Sequence, residues 1–119
     1  MNINIVRLVE PGIPNNERLC LRVISNDNLG KYVVYDTVEL DTNVFYNKPK
    51  NTYWFPNIAV RAGDNIILYT KTGTNNSVLN TEGGTNYFFY WGLPNTIWNA
   101  ANSGVALLQL ESWQFRNRS

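Results

Sequence analysis

Residues 52–110 read TYWFPNIAVRAGDNIILYTKTGTNNSVLNTEGGTNYFFYWGLPNTIWNAANSGVALLQL, and this stretch decides the fold. It holds three of the four tryptophans, Trp54, Trp91 and Trp98. Tyr53-Trp54-Phe55 is a short apolar run stopped by Pro56. Arg61-Ala62-Gly63-Asp64 reads as a turn, because glycine tolerates positive φ and aspartate bonds its own backbone. Asn65 to Thr70 is rich in β-branched and aromatic residues and reads as a strand. The Gly-, Thr- and Asn-rich run from Thr72 to Thr85 is expected to be a loop. Asn86 to Trp91 is a second strand, closed by Gly92 and Pro94, and Thr96 to Asn99 is a short segment after it. Val105 to Glu111 is the last strand, with Ala106, Leu108 and Leu110 on one face and Gln109 and Glu111 on the other.

Working outward, the first half continues this grammar. Met1 to Arg7 reads as a first strand, and Glu10 to Asn16 as a loop, with Pro11, Gly12 and Pro14 breaking the pattern. Glu17 to Ile24 alternates: Leu19, Leu21 and Val23 share one face, and Arg18, Cys20 and Arg22 the other. Asn26 to Gly30 reads as a turn joining the second and third strands into a hairpin. Lys31 to Leu40 is a strand with two apolar faces, Tyr32, Val34, Val38 and Leu40 on one and Val33 and Tyr35 on the other. Asp41 to Asn51, with Lys48-Pro49-Lys50, is expected to be a long exposed loop. Helical periodicity, internal repeats and linkers are all absent from the pattern. Strands recurring with turn signals between them predict one all-β domain over 1–119, an antiparallel β-sandwich rather than a doubly wound sheet.

Three pieces of the deciding stretch resemble the lamin tail domain, an immunoglobulin-like β-sandwich. The first is Trp54-Phe55-Pro56 followed by the Arg61 to Asp64 turn and the apolar strand Asn65 to Leu68. The second is the polar Gly-containing loop Thr70 to Thr74. The third is Ile97-Trp98-Asn99, a small polar turn and the strand Val105 to Leu110. The likeness covers about half the chain. It departs from the family at Ser103-Gly104-Val105, where Gly-Asp is common, and at Lys31 to Tyr35, which lacks the family's Gly-Trp. The resemblance implies an immunoglobulin-like fold with Trp98 closing one end of the core. It carries no catalytic residues over, because such domains serve many proteins.

Composition narrows the function. The chain of 119 residues is 44% hydrophobic and 13% aromatic, which excludes disorder. Only 16% is charged and the net charge is +1, so no overall field draws nucleic acid or anionic lipid. No leader pattern opens the chain, and no apolar run approaches the ~20 residues of a membrane helix. Cys20 is the only cysteine, so no intrachain disulfide forms. A soluble cytoplasmic protein is expected. With no histidine and one thiol, a zinc-type metal site or a base-activated nucleophile is not expected. Asp27, Asp36, Asp41 and Asp64 are scattered and match no calcium-loop spacing. The Gly loops at Thr72 to Thr74 and Glu82 to Thr85 lack a following Lys-Thr and open no helix, so no phosphate cradle or cofactor is expected. Asn75-Asn76-Ser77 is a glycosylation sequon, meaningful only in a secreted eukaryotic chain.

What remains is aromatic surface. Along Tyr87-Phe88-Phe89-Tyr90-Trp91, Tyr87, Phe89 and Trp91 share one face and Phe88 and Tyr90 the other. Only one face meets the core; the other is covered by the chain's own loops or by a partner. These five residues are the candidate binding residues. The expected role is a non-enzymatic binding or structural module for protein contacts, including self-association. The alternative from a different class is a carbohydrate-binding module, in which Tyr and Trp stack on sugar rings beside Asn.

Overall fold

A computed structural model describes residues 1–47 and 50–119; Lys48 and Pro49 of the expected long loop lie outside the described residues. In chain order the strands are β1 (Ile3–Val9), β2 (Arg18–Val23), β3 (Asp27–Asn28), β4 (Tyr32–Asp41), β5 (Val44–Phe45), β6 (Thr52–Trp54), β7 (Ala59–Val60), β8 (Asn65–Tyr69), β9 (Asn76–Leu79), β10 (Thr85–Tyr90) and β11 (Ser103–Gln109). Among the described residues the helical part is one 3₁₀ turn, Leu29–Lys31. The protein is all-β.

A five-stranded sheet runs in the order β1-β2-β8-β10-β9. In the second sheet β4 is central, with β11 on one side and β6 and β5 along the other. β3 and β7 form a separate short ribbon. The two main sheets share one core. Ile3, Leu19, Leu21, Val23, Ile66, Leu68 and Phe89 come from the first sheet, and Tyr32 and Val34 from the second. Leu19, Leu21 and Val23 share the face the sequence alternation gave them, as do Tyr32 and Val34. Between the sheets runs a line of aromatic contacts. Phe89 meets Phe55 at 5.4 Å between ring centroids, Phe55 meets Tyr53 at 5.0 Å, Tyr53 meets Trp91 at 5.9 Å, and Trp91 meets Trp98 at 6.2 Å. Trp98 is buried, and its indole N–H donates to the Gly104 carbonyl at 2.9 Å, so it closes the core beneath the last strand.

Four expectations are corrected. The sandwich is not purely antiparallel: β10 runs parallel to β8, from Asn86 opposite Asn65 to Tyr90 opposite Tyr69. Asp64 is the physical reason. Its carboxylate accepts the Arg61 amide at 2.8 Å in the turn before β8, and the Thr85 amide at 2.9 Å where β10 starts. Both strands therefore begin at the same end of the sheet. β9, the edge strand, lies within the expected 72–85 loop and pairs antiparallel with β10.

The second correction concerns Asn26 to Gly30, which does not close a hairpin. β2 and β4 lie in different sheets, and this segment carries the chain between them. Asn28 caps the 3₁₀ turn by accepting the Gly30 amide at 2.8 Å, and Leu29 is fully buried. A buried leucine in the turn converts a reversal into a crossing. Third, the Asp41 to Asn51 segment contains the strand β5, and its Asn51 end is held by Asp36, which accepts the Asn51 amide at 2.7 Å. Fourth, Val105 and Leu107 are the residues of the last strand that pack on the core, while Leu108 faces out. Register decides this, because Leu107 sits opposite buried Val34 and Gln109 opposite buried Tyr32. Cross-strand neighbours share a face.

One buried carboxylate locks these parts together. Glu17 is 1% exposed. Its Oε1 accepts the Thr70 hydroxyl at 2.8 Å and the Ile97 amide at 2.9 Å. Its Oε2 accepts the Gly12 amide at 2.7 Å and the Trp98 amide at 3.0 Å. A buried charged group is tolerated only when its acceptors are met, and here donors from three chain segments meet them.

Candidate functional site

The aromatic strand β10 divides as alternation requires. Tyr87, Phe89 and Trp91 turn inward: Phe89 is buried, and Tyr87 and Trp91 are half-buried against the core. Phe88 and Tyr90 lie on the outer face of the first sheet and are half-buried. Tyr90 stacks on Tyr69 at 5.5 Å with rings only 9° from parallel. Tyr69 in turn lies under the Lys71 ammonium at 4.8 Å and the Arg18 guanidinium at 5.5 Å. Gly73 lies against Tyr90 so closely that a Cβ there would come within 2.3 Å of the ring. The Tyr90 amide is bound by the Asn75 side chain at 3.2 Å. The chain's own 72–75 segment thus covers the end of this face, and the Tyr69 and Tyr90 rings are engaged by protein groups. Tyr87 and Phe89 also line a shallow cavity of about 210 Å³ with Ile58, Asn75, Asn76 and Ser77.

The most exposed aromatic surface is on the other sheet. β4 carries apolar residues on both faces; on the outward one Val33 is half-buried and Tyr35 is buried beneath its neighbours. β6 places Trp54 opposite Val33, and β11 places Leu108 opposite the same residue. Trp54 is 45% exposed, although its indole N–H donates to the Gly30 carbonyl at 2.7 Å. Trp113, beyond β11, packs edge-to-face on Trp54 with centroids 4.8 Å apart and is itself 59% exposed. Phe115 follows at 80% exposed. At the other end of the face Phe45 and Val44 rim a cavity of about 380 Å³ with Thr37, Gly104 and Ala106. Sequence reasoning passed over this face because Trp54 and Trp113 lie 59 positions apart and neither belongs to a long regular strand. The signal was the two-sided apolar pattern of residues 31–40.

The ionisable groups are arranged for structure. Asp27 accepts the Tyr32 hydroxyl at 2.7 Å, the Asn28 amide at 2.8 Å and the Asn2 side chain at 3.2 Å, with the Lys31 ammonium at 3.2 Å. Burial alone would raise its pKa, but these donors together hold it down at about 2. Burial, and then the Asp27 bond and charge, push the Tyr32 phenol well above its ordinary value. Burial likewise pushes the Cys20 thiol up, and Arg18 and Arg7 offset this only in part, so the thiol is not poised as a nucleophile. Among the described residues no three His, Cys, Asp or Glu side chains gather as metal donors, and no helix is long and apolar enough to cross a membrane.

No protein-family model, no curated protein and no solved structure matches this chain.

Proposed function

We propose that the domain is a non-enzymatic interaction module that binds protein through the outer face of its second sheet. The observation that carries this is the pair Trp54 and Trp113, in edge-to-face contact yet each about half open to water. A buried tryptophan removes roughly 150–250 Å² from water, so the pair, with Leu108, leaves a few hundred Å² of apolar surface exposed. Patches of that size on single chains mark contact sites. Tryptophan is also the residue type most enriched where binding energy concentrates. The lamin-tail-like, immunoglobulin-like assignment belongs to the same proposal. Burial of Phe55 after its Trp54 neighbour and of Trp98 before the last strand supports it. The parallel β8–β10 pair departs from the antiparallel sheets of immunoglobulin sandwiches.

The test places a photocrosslinking residue at Trp113, with a control at Ile67 on the outer face of the first sheet. Protein adducts should form at 113 in excess over 67. Equal labelling at both positions would sink the reading. Tryptophan fluorescence shifts with a panel of soluble polysaccharides, and no adducts, would move the assignment to the glycan-binding alternative.

A further inference from the structure

We infer that β11 is a homotypic docking edge, through which a second copy of the chain adds antiparallel to the second sheet, centred on Ala106. This rests on the reading of the domain as a protein-binding module and names one partner for it.

Edge strands offer unpaired backbone groups, and native proteins blunt them with charge, bulges or shortness. The other edges of the main sheets are blunted in these ways. β1 carries Arg7 and a register shift between Ile5 and Arg7. β9 has four residues, β6 three and β5 two. β11 is seven residues long, Ser103-Gly104-Val105-Ala106-Leu107-Leu108-Gln109, with no charge, no proline and an unbroken register to β4. Among the described residues it pairs on one side only.

The backbone pattern selects the register. The Glu39 amide donates to the Asn102 carbonyl at 2.7 Å, and the Leu110 amide to the Lys31 carbonyl at 2.7 Å. In an antiparallel ladder every second residue bonds the same neighbour, so 102, 104, 106, 108 and 110 bond towards β4. The groups of Val105, Leu107 and Gln109 therefore point to the open edge. A two-fold axis through Ala106 sets Val105 opposite Leu107 of the copy, both with their backbone groups aimed across. It sets Ser103 opposite Gln109, and Gly104 opposite Leu108. Ala106 is the midpoint of the strand, so this register pairs all of it. Ala106 then meets itself at a non-hydrogen-bonded position, where the chains come closest and a small side chain fits. A Cβ at Gly104 would touch nothing within 4 Å, which leaves room for the leucine of the copy. A charge at the axis position would face its own copy, and Ala106 carries none.

The experiment uses cysteine pairs in a Cys20→Ser background. Opposed residues at a non-hydrogen-bonded position lie ~4.5 Å apart between Cα atoms, inside the range a disulfide spans. Ala106→Cys should form a disulfide-linked dimer in air. Gly104→Cys mixed with Leu108→Cys should form the mixed dimer. Leu108→Cys alone should not, because its copies sit ~13 Å apart, four residues along the strand. Wild-type chain should sediment as a concentration-dependent dimer, and Ala106→Lys as a monomer that still unfolds cooperatively and whose melting temperature no longer rises with concentration. Equal crosslinking at 104, 106 and 108, or a wild-type chain monomeric at its solubility limit, would overturn the inference. Adducts at Trp113 that persist in Ala106→Lys would show that the outer face still binds protein while the β11 edge does not.

Discussion

Trp98 and Glu17 show how much a single side chain can hold. Trp98→Ala removes a buried ring and its bond to Gly104, and should destabilise the fold by ~3–5 kcal/mol by chemical denaturation. A loss below ~1 kcal/mol would contradict its burial. Trp98 was legible because a tryptophan before a last strand has few places to go but inward. Glu17 was not legible. A glutamate opening an alternating strand reads as solvated, and its partners Gly12, Thr70, Ile97 and Trp98 are set only by the tertiary fold. Glu17→Gln keeps the shape but turns an NH₂ toward two N–H or O–H donors. It should cost ~2–4 kcal/mol, the scale of stranding buried donors. Asp27 adds a pH dependence. Its carboxyl is held near 2 in the folded state and titrates near 3.9 when unfolded. A folded pKa below the unfolded one gives stability that is complete above pH ~5 and fades as pH falls from ~4 through 2. Wild type and Asp27→Asn should therefore differ most in melting temperature at neutral pH and converge towards pH 2. Curves that stay parallel would remove Asp27 from the account.

At the scale of elements, alternation was legible and partnership was not. The inward face of β2 follows from residue order, since Leu19, Leu21 and Val23 alternate with Arg18, Cys20 and Arg22 and are buried, whereas β8 and β10 carry apolar residues on both parities and only the fold selects Ile66, Leu68 and Phe89. Which strand lies beside which depends on loops whose anchors are long-range. Asp64 reaching Thr85 makes β8 and β10 parallel, and Leu29 sinking into the core carries the chain across to the second sheet. Neither contact has a local signature. The short strands β5 and β9 were hidden for a related reason: β9 is exposed along its length, so no apolar period marks it. The candidate strand β10 now makes a directional prediction. Tyr87→Lys with Phe89→Lys drives charge into the core and should abolish the cooperative thermal transition. Phe88→Lys with Tyr90→Lys places charge on the outer face and should leave a folded protein with a lower melting temperature, because Tyr90 loses its stacking on Tyr69. Gly73→Ala should weaken the same face without touching the core. A methyl 2.3 Å from the Tyr90 ring must push the 72–75 segment away, at ~1–3 kcal/mol.

For the whole molecule, the core lies within residues 3–107, while part of the exposed aromatic surface comes from beyond it. The buried cluster draws on residues from Ile3 to Trp98, with Val105 and Leu107 packed against it. Residues 110–119 contribute nothing to that cluster, yet they supply Trp113 to the outer face. Stability and surface should therefore separate on truncation. A chain ending at Leu110 keeps every core residue and the Leu110–Lys31 bond. It should unfold as cooperatively as the full chain, with a melting temperature lower by at most a few degrees, the shift that ~1 kcal/mol produces in a domain of this size. It should lose the Trp54–Trp113 contact, which circular dichroism of the coupled indoles would register. Protein adducts from a crosslinker at Trp54 should fall sharply at the same time. A truncated chain that no longer folds would mean that residues 111–119 belong to the core after all, and that the exposed face is part of what holds the sandwich closed rather than a surface for binding.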